Sequence, residues 1–261
     1  MANIKKIVLI GAGNVATHLG IELKRKGFNI TQVFSRTEKS ASELASLLDV
    51  SYTTALQDVV CDADIYVVAL KDSALHEQLP YIIKGRENAL FVHTAGSLPM
   101  DVWKDYVSRY GVLYPMQTFT KSREVDFSKV SFFVEAYRVE DLNLLKMIAG
   151  SLSPKVYEAT SEQRKYLHLS AVFACNFSNH MYALSAYLLK QKNLPFEAML
   201  PLIDETARKV HELLPQEAQT GPAIRGDMNV MSAHLDLLTD EPSIRELYEK
   251  LSNSIYRFND V

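Results

Sequence analysis

The stretch from Ile4 to Gly20, IKKIVLIGAGNVATHLG, limits what this chain can become more than any other. Ile7, Val8, Leu9 and Ile10 form an apolar run without alternation, the pattern of a strand buried on both faces. Gly11-Ala12-Gly13-Asn14-Val15-Ala16 follows at once and fits G-x-G-x-x-G/A with Ala in the third place. Val15, Leu19 and Leu23 then recur at helical spacing. In such a turn Gly11 permits the sharp reversal, Gly13 lets a pyrophosphate approach the backbone, and Ala16 lets the helix pack closely on its strand. The unpaired N–H groups and positive end of the helix face the phosphates. A dinucleotide held by Gly11, Gly13, Asn14 and Val15 is therefore expected, against the competing reading of a glycine turn that serves packing only.

The end of the next strand bears on which dinucleotide. Gly27 closes the first helix, and Ile30 to Phe34 gives a second strand ending at Ser35-Arg36-Thr37. A site for NAD places Asp or Glu here to bond both ribose hydroxyls. This chain offers two hydroxyls and a guanidinium, whose planar fork matches phosphate oxygens. NADP is the cofactor this predicts, although an Arg after a strand also occurs as a plain surface residue.

Length and charge narrow the partners. The chain has 261 residues, 48% of them hydrophobic, enough for a sizeable core and comfortable for two domains. A formal charge of -3, with no basic cluster interleaved with aromatics, offers nucleic acid no general attraction. Cys61 and Cys175 lie outside any metal-ligand spacing, so no metal is expected and a reducing cytoplasm fits. Lys5-Lys6 before IVLIGAG imitates a signal peptide, but the run is too short and reads as the first strand. No run approaches the ~20 apolar residues that span a bilayer. A small-molecule substrate is the expected partner, with neither nucleic acid nor membrane.

Further strands are expected at Asp64 to Leu70, Ala89 to Val92, Gly111 to Phe119, Ser131 to Glu135 and Lys155 to Tyr157, with helices between. Ser40-x-x-Glu43 reads as a capping box for the second helix, with Thr37 as a competing start. In an open α/β sheet ligands bind at the carboxyl ends of strands. That brings Leu70 and Lys71, and His93-Thr94-Ala95-Gly96-Ser97, to the cofactor edge. Thr94 and Ala95 are assigned to the cofactor, and His93 and Gln117 to the substrate. Thr120 to Asp126 reads as a lid or pocket wall.

After Glu158 only helical patterning remains, starting at a capping box, Thr160-Ser-Glu-Gln163. This sets an expected division at 158/159, a nucleotide-binding domain 1–158 and a helical substrate and dimerisation domain 159–261. On the first of these helices Leu167, Phe173, Phe177, Met181, Leu184 and Leu188 share one side, and Lys165, His168, Val172, Asn176 and Asn179 the other. A polar stripe of this kind is either solvated or functional. Further on, Thr220 to Asp227, TGPAIRGD, sets Arg225 in a Gly-Pro loop with Asp227 as the N-cap of a helix carrying His234. Arg225 either pairs with Asp227 or clamps a substrate carboxylate.

GAGNVA at 11–16, HTAGS at 93–97, YPMQTF at 114–119, HLSAVFACNF at 168–177, and TGPAIRGD at 220–227 with His234 resemble the Rossmann-like NADP oxidoreductases that carry a helical C-terminal domain. The chain is more distantly similar to pyrroline-5-carboxylate reductases, ketopantoate reductases and deazaflavin-dependent NADP reductases. The resemblance spans both expected domains. It implies an α/β fold with a Rossmann-type mostly parallel sheet followed by an all-helical C-terminal domain, NADP binding in the first part, a site in the cleft between domains, and a homodimer formed through helices. The Lys and Asn that β-hydroxyacid dehydrogenases place four residues apart have no counterpart, since Lys165 and Asn176 are widely separated. His168 is the more attractive proton donor, because an ordinary histidine titrates near neutrality, and Asn176 could orient a substrate oxygen.

Two functions from different classes fit these residues: an oxidoreductase moving hydride between NADP(H) and a small carbonyl or imine substrate, carboxylic acids included, and an NADP(H)-binding regulatory or scaffold protein without turnover. A metal hydrolase lacks any ligand spacing. The strand end after Phe34 makes its own test. NADPH is expected to bind more tightly than NADH in fluorescence titrations, and Arg36→Glu to reverse the order; an unchanged preference in that variant would mean that Arg36 plays no part in it.

Overall fold

The structure, a computed structural model, describes residues 6–258. Ile4 and Lys5 of the opening stretch lie outside them. By packing, the chain divides into two compact units, 1–175 and 176–261.

The first unit is built on an eight-stranded sheet in the order β3-β2-β1-β4-β5-β6-β7-β8. Its strands are β1 (Ile7–Ile10), β2 (Ile30–Phe34), β3 (Ser51–Thr53), β4 (Ile65–Val68), β5 (Leu90–His93), β6 (Tyr110–Met116), β7 (Ser131–Ala136) and β8 (Val156–Glu158). Neighbours pair in parallel except β6 and β7, which run antiparallel. The helices are α1 (Asn14–Arg25), α2 (Glu38–Leu48), α3 (Asp72–Ile83), α4 (Val139–Leu152) and α5 (Ser161–Ala171). The mostly parallel Rossmann-type sheet expected from the sequence is thus the one observed.

The unalternating apolar runs are explained by burial on both faces. Ile7 and Leu9 of β1 enter one core with Leu19 and Leu23 of α1, Leu44 and Leu48 of α2, and Leu145 and Ile148 of α4. Val8 and Ile10 enter a second core with Leu75, Leu79 and Ile82 of α3 and with Trp103. Such a strand has no solvent face and needs none of the alternation of a half-exposed one. Chain direction reverses its lateral march between β1 and β4, and the crevice at that switch point is where open sheets bind ligands.

The structure adds to the sequence reading and adjusts it. Strand β3 was not foreseen; it is three residues at the sheet edge, too short for an apolar period to register. Helix α2 starts from Thr37, so Ser40 and Glu43 are not its capping box. Thr160 and Gln163 form the foreseen capping box of α5, with Gln163 N–H donating to Thr160 Oγ1 at 3.2 Å and Thr160 N–H to Gln163 Oε1 at 2.9 Å. A π-helical turn, Val172–Phe177, follows α5. Periodicity at 100° per residue cannot register such a turn, and π turns often mark functional segments.

The second unit contains no strand among its described residues; its α-helices are α6 (Ser178–Gln191), α7 (Leu200–Lys209), α8 (Pro222–Arg225), α9 (Met228–Leu237) and α10 (Pro242–Phe258), joined by turns and loops. Helix α8 packs on α9 and α10. Asp227 caps α9 as expected, accepting from Val230 N–H at 3.3 Å. His234 Nδ1 lies 2.8 Å from the Tyr248 hydroxyl and ties α9 to α10. Little in this unit is covered: none of α6, α7, α9 and α10 contains a buried residue.

Candidate active site

The site is assembled at the carboxyl edge of β1, β4, β5 and β6. At the turn after β1, Gly11 has φ +117°, and a Cβ there would lie 2.4 Å from the Ala69 carbonyl oxygen. Its N–H donates to Phe34 O at 2.8 Å, while Ala69 N–H donates to Ile10 O at 2.8 Å. A side chain at position 11 would push β1 and β4 apart at the point where they must meet. Gly13 is different: a Cβ there would meet nothing within 4 Å. Gly13 is exposed and caps α1 without any side-chain bond, so the amino end of the helix is open to an anion. Asn14 is exposed and Val15 half-buried beside it. These are the features that a dinucleotide's pyrophosphate requires.

At the end of β2, Ser35 is half-buried, and Arg36 and Thr37 are exposed. Thr37 makes no side-chain cap bond to α2. Arg36 has no hydrogen bond or ion pair within the described residues, so its guanidinium is available to a phosphate. Leu70, half-buried after β4, lies beside the Gly11 turn, and Lys71 is the exposed N-cap of α3.

The loop after β5 is held from within. His93 is 1% exposed, receives the Ala95 N–H on Nδ1 at 3.2 Å, and has Nε2 3.3 Å from Pro99 O. Accepting on Nδ1 fixes Nε2 as the protonated nitrogen. Burial, with the Arg164 guanidinium adding repulsion, pushes the pKa of His93 down to about 3. The neutral ring shapes the loop, and neither nitrogen is turned outward to a substrate. Thr94 is buried, its N–H donating to Val68 O at 3.2 Å. Ser97 Oγ donates to Asp72 at 2.5 Å, tying the loop to the start of α3.

Arg164, fully buried on α5, was missed in the sequence because it sits between Lys165 and Gln163 in a run of polar residues. Its Nε donates to Ala95 O at 3.3 Å, one terminal nitrogen to Glu135 at 2.5 Å, and the other to Leu98 O at 2.5 Å and Ser161 Oγ at 3.3 Å. Glu135 also accepts from Ser161 N–H and Oγ–H, at 2.9 and 2.8 Å. Ser161 Oγ in turn accepts from Met100 N–H at 2.8 Å. One turn along α5 from Arg164, His168 rests on Gly96, whose Cβ position would be 2.9 Å from both Cβ and Nδ1 of His168. The Tyr114 hydroxyl of β6 lies 3.4 Å from His168 Nδ1. The foreseen proton donor thus stands at the strand ends, with a tyrosine that the sequence reading had passed over.

Beyond β6, Gln117 is exposed and turned on its neighbour, its Oε1 accepting from Thr118 N–H at 2.8 Å. The segment that follows bends back to α1. Asn14 Nδ2 donates to Phe119 O at 2.9 Å, and His18 Nε2 lies 3.0 Å from Thr120 O with its ring stacked on Phe119. Phe119 and Thr120, at the start of the segment Thr120 to Asp126, are thereby held against the first turns of α1. Asn176 is exposed in the π turn. In the second unit, Arg225 is exposed at the end of α8 and makes no ion pair with Asp227, whose carboxylate caps α9 instead. Of the two readings of Arg225, the structural pair is therefore absent. Among the described residues no group of three or more His, Cys, Asp or Glu could hold a metal, and no helix is long and apolar enough to cross a membrane.

Comparison with known proteins agrees with this geometry. Residues 6–95 match the family described as "NADP oxidoreductase coenzyme F420-dependent", and residues 130–255 match a domain of unknown function, DUF2520. The chain is 62% identical to the "putative NADP oxidoreductase" of Bacteroides fragilis, over 97% of this chain and 98% of that one, with a TM-score of 0.94. An imine reductase from Myxococcus stipitatus in complex with NADP+ is 16% identical over 97% of this chain and 92% of its own, with a TM-score of 0.68. A pyrroline carboxylate reductase from Plasmodium falciparum with NADP bound is 16% identical over 99% of both chains, with a TM-score of 0.58. The latter two share the fold. No curated protein matches the chain.

The buried His93 has a measurable consequence. Unfolded, a histidine binds a proton below its ordinary value near 6.5; folded His93, at about 3, does not. Between these two values the unfolded chain holds the extra proton, so stability falls as pH drops through the window and is unaffected above it. From pH 8 to pH 5 this contributes roughly 2 kcal/mol of lost stability. His93→Asn is expected to be less stable at pH 8 yet to lose less between pH 8 and pH 5, as read from urea midpoints; an unaltered acid slope would mean that His93 is not held neutral.

Proposed function

Because the chain belongs to the family of Rossmann-type NADP oxidoreductases with a DUF2520 C-terminal domain, we propose that it is an NADPH-dependent reductase of a small carbonyl or imine substrate. The observation that carries this reading is His168, seated on Gly96 at the strand edge that begins with the Gly11–Gly13 turn. Two strand spacings, about 10 Å, separate β1 from β5, so the phosphate turn and the His168 seat belong to one surface. When bound, NADPH supplies the hydride. Gly11, Gly13 and the first turn of α1 hold its phosphates, Arg36 with Ser35 and Thr37 the 2′-phosphate, and Leu70, Thr94 and Ala95 line its path along the edge. His168 delivers the proton that neutralises the reduced oxygen or nitrogen, and Asn176 orients the reacting group. Asp72, Ser97 and the Arg164 cluster keep the loop after β5 fixed while this happens.

The exposed, unpaired Arg225 favours a substrate acid group, which a guanidinium grips through two parallel hydrogen bonds. Against a panel of small keto and imino acids with NADPH, Arg225→Ala is expected to raise KM steeply with little change in kcat, and His168→Ala to lower kcat by about a hundredfold or more with little change in KM. Turnover of uncharged substrates only would remove the carboxylate grip and leave the reductase; no NADPH oxidation with any carbonyl or imine would remove the reductase and leave an NADP(H)-binding protein.

The working form proposed is a homodimer. In the second unit Leu202, Leu214 and Leu237 are 63%, 64% and 80% exposed, and the unit's buried hydrophobic residues are Ala223 and Leu238 alone among those described. Apolar helix faces left open on this scale are covered by association. Light scattering at low micromolar concentration is expected to give about twice the 29.4 kDa of one chain; the mass of one chain would defeat the dimer.

A further inference from the structure

Resting on the reductase reading, a second residue of the proton-delivery step can be identified. We infer that Tyr114 is the positioning residue of His168: its hydroxyl donates to Nδ1, holds the neutral imidazole with its proton on Nε2, and leaves that Nε2–H as the group that meets the substrate, with Gly96 as the seat that lets the two side chains come together.

Three features of the site converge on this. The first is the shape of the seat. Gly96 has no positive φ, so its backbone would accept any residue, yet a Cβ there would lie 2.8 Å from the Tyr114 ring carbon bearing the hydroxyl and 2.9 Å from His168 Nδ1. A glycine at this position therefore serves the contact between the two rings, which stand edge to face with centroids 6.4 Å apart. The second is the isolation of the hydroxyl. Tyr114 is 9% exposed, and His168 Nδ1 is the polar partner found for it, at 3.4 Å, a long bond of the kind that shortens when a substrate closes the site. Burial pushes the pKa of Tyr114 up, against a smaller opposing pull from Arg164, so the phenol keeps its proton and acts as donor. The third is the support behind the imidazole. Arg164 and His168 are four residues apart and share one face of α5. Arg164 is fixed by Ala95, Leu98, Glu135 and Ser161, so the face carrying His168 cannot rotate away from Tyr114. The Arg164 guanidinium behind the pair is itself paired with the Glu135 carboxylate, and the buried His93 is uncharged.

The division of labour follows from the two nitrogens. A histidine that delivers a proton from Nε2 needs Nδ1 occupied by a partner, or the ring flips and the tautomers mix. Tyrosine fills that place without charge. As the Nε2 proton passes to the substrate, the Tyr114 hydroxyl proton passes to Nδ1, so the ring stays neutral with Nε2 bare and the phenol is left as phenolate; a solvent proton then returns to Nε2 on the exposed side of His168 and the Nδ1 proton goes back to Tyr114.

Nitrogen-15 NMR of the full-length protein labelled at histidine, at pH 8.5, tests this without needing a substrate. His168, assigned by the loss of its signals in His168→Gln, is expected to carry its proton on Nε2, and its Nδ1 resonance to move in Tyr114→Phe while the other imidazoles stay put. Gly96→Ala is expected to produce the same displacement by forcing the rings apart. With a substrate in hand, Tyr114→Phe is expected to lower kcat roughly tenfold while KM and NADPH affinity hold. A His168 protonated on Nδ1, or resonances unaltered by Tyr114→Phe, would overturn the inference whether or not the protein proves to be a reductase. An absence of turnover with an intact Tyr114–His168 coupling would overturn the reductase reading alone.

Discussion

One buried guanidinium holds the candidate site together. Arg164 leaves helix α5 and reaches beneath the loop after β5, where it meets two backbone carbonyls, Ala95 and Leu98, and the Glu135 carboxylate of β7. Three segments far apart in sequence are fixed by this one side chain. Removing one partner of a buried pair leaves the other as an unpaired charge, a loss of about 3–5 kcal/mol, whereas the intact pair is close to neutral in net stability. The value of the cluster is therefore geometric: it sets where α5 lies against the strand ends, and so where His168 stands.

The two histidines of the site differ in burial. His93 is enclosed among Pro99, Ala95 and the Arg164 cluster, and both enclosure and the nearby positive charge keep it neutral. His168, one turn beyond Arg164, is exposed and rests against the loop only through Gly96 and Tyr114. A histidine meant to exchange protons must reach solvent or substrate, and one meant to hold a loop must not. The HTAGS segment uses its own histidine for the second task, and under the proposed function His168 of α5 takes the first.

What could be read in the sequence was local, and what could not was made by tertiary packing. The strand, glycine turn and helix from Ile7 onward carry their signal within a few residues, because each small side chain answers a nearby backbone constraint. Gly11 shows this directly, with Ala69 O where its Cβ would be. The capping boxes behaved unevenly for a related reason. Thr160 and Gln163 satisfy each other across one turn, whereas Ser40 and Glu43 matched the same pattern after α2 had already begun. Arg164 and Tyr114 left no local trace. Arg164 is one cation among several polar residues on α5, and Tyr114 is one aromatic in an apolar strand; their roles exist only once β5, β6, β7 and α5 are side by side. Asp227 was read correctly as a cap, and that role is what leaves Arg225 without its nearest candidate partner.

The glycines of the site sort by what opposes them. Gly11 is opposed by backbone, the Ala69 carbonyl, and no movement of a side chain could relieve a substitution there. Gly96 is opposed by two side chains, Tyr114 and His168, which could move aside and leave the fold standing. Gly13 is opposed by nothing in the protein. A chain that needed only to fold would have no reason to keep position 13 bare or to let two rings crowd position 96. The proposed function would account for the first by an anion at the amino end of α1, and for the second by the inferred contact of a tyrosine with a histidine. Folding explains Gly11, and the proposed anion binding and proton delivery would explain the other two.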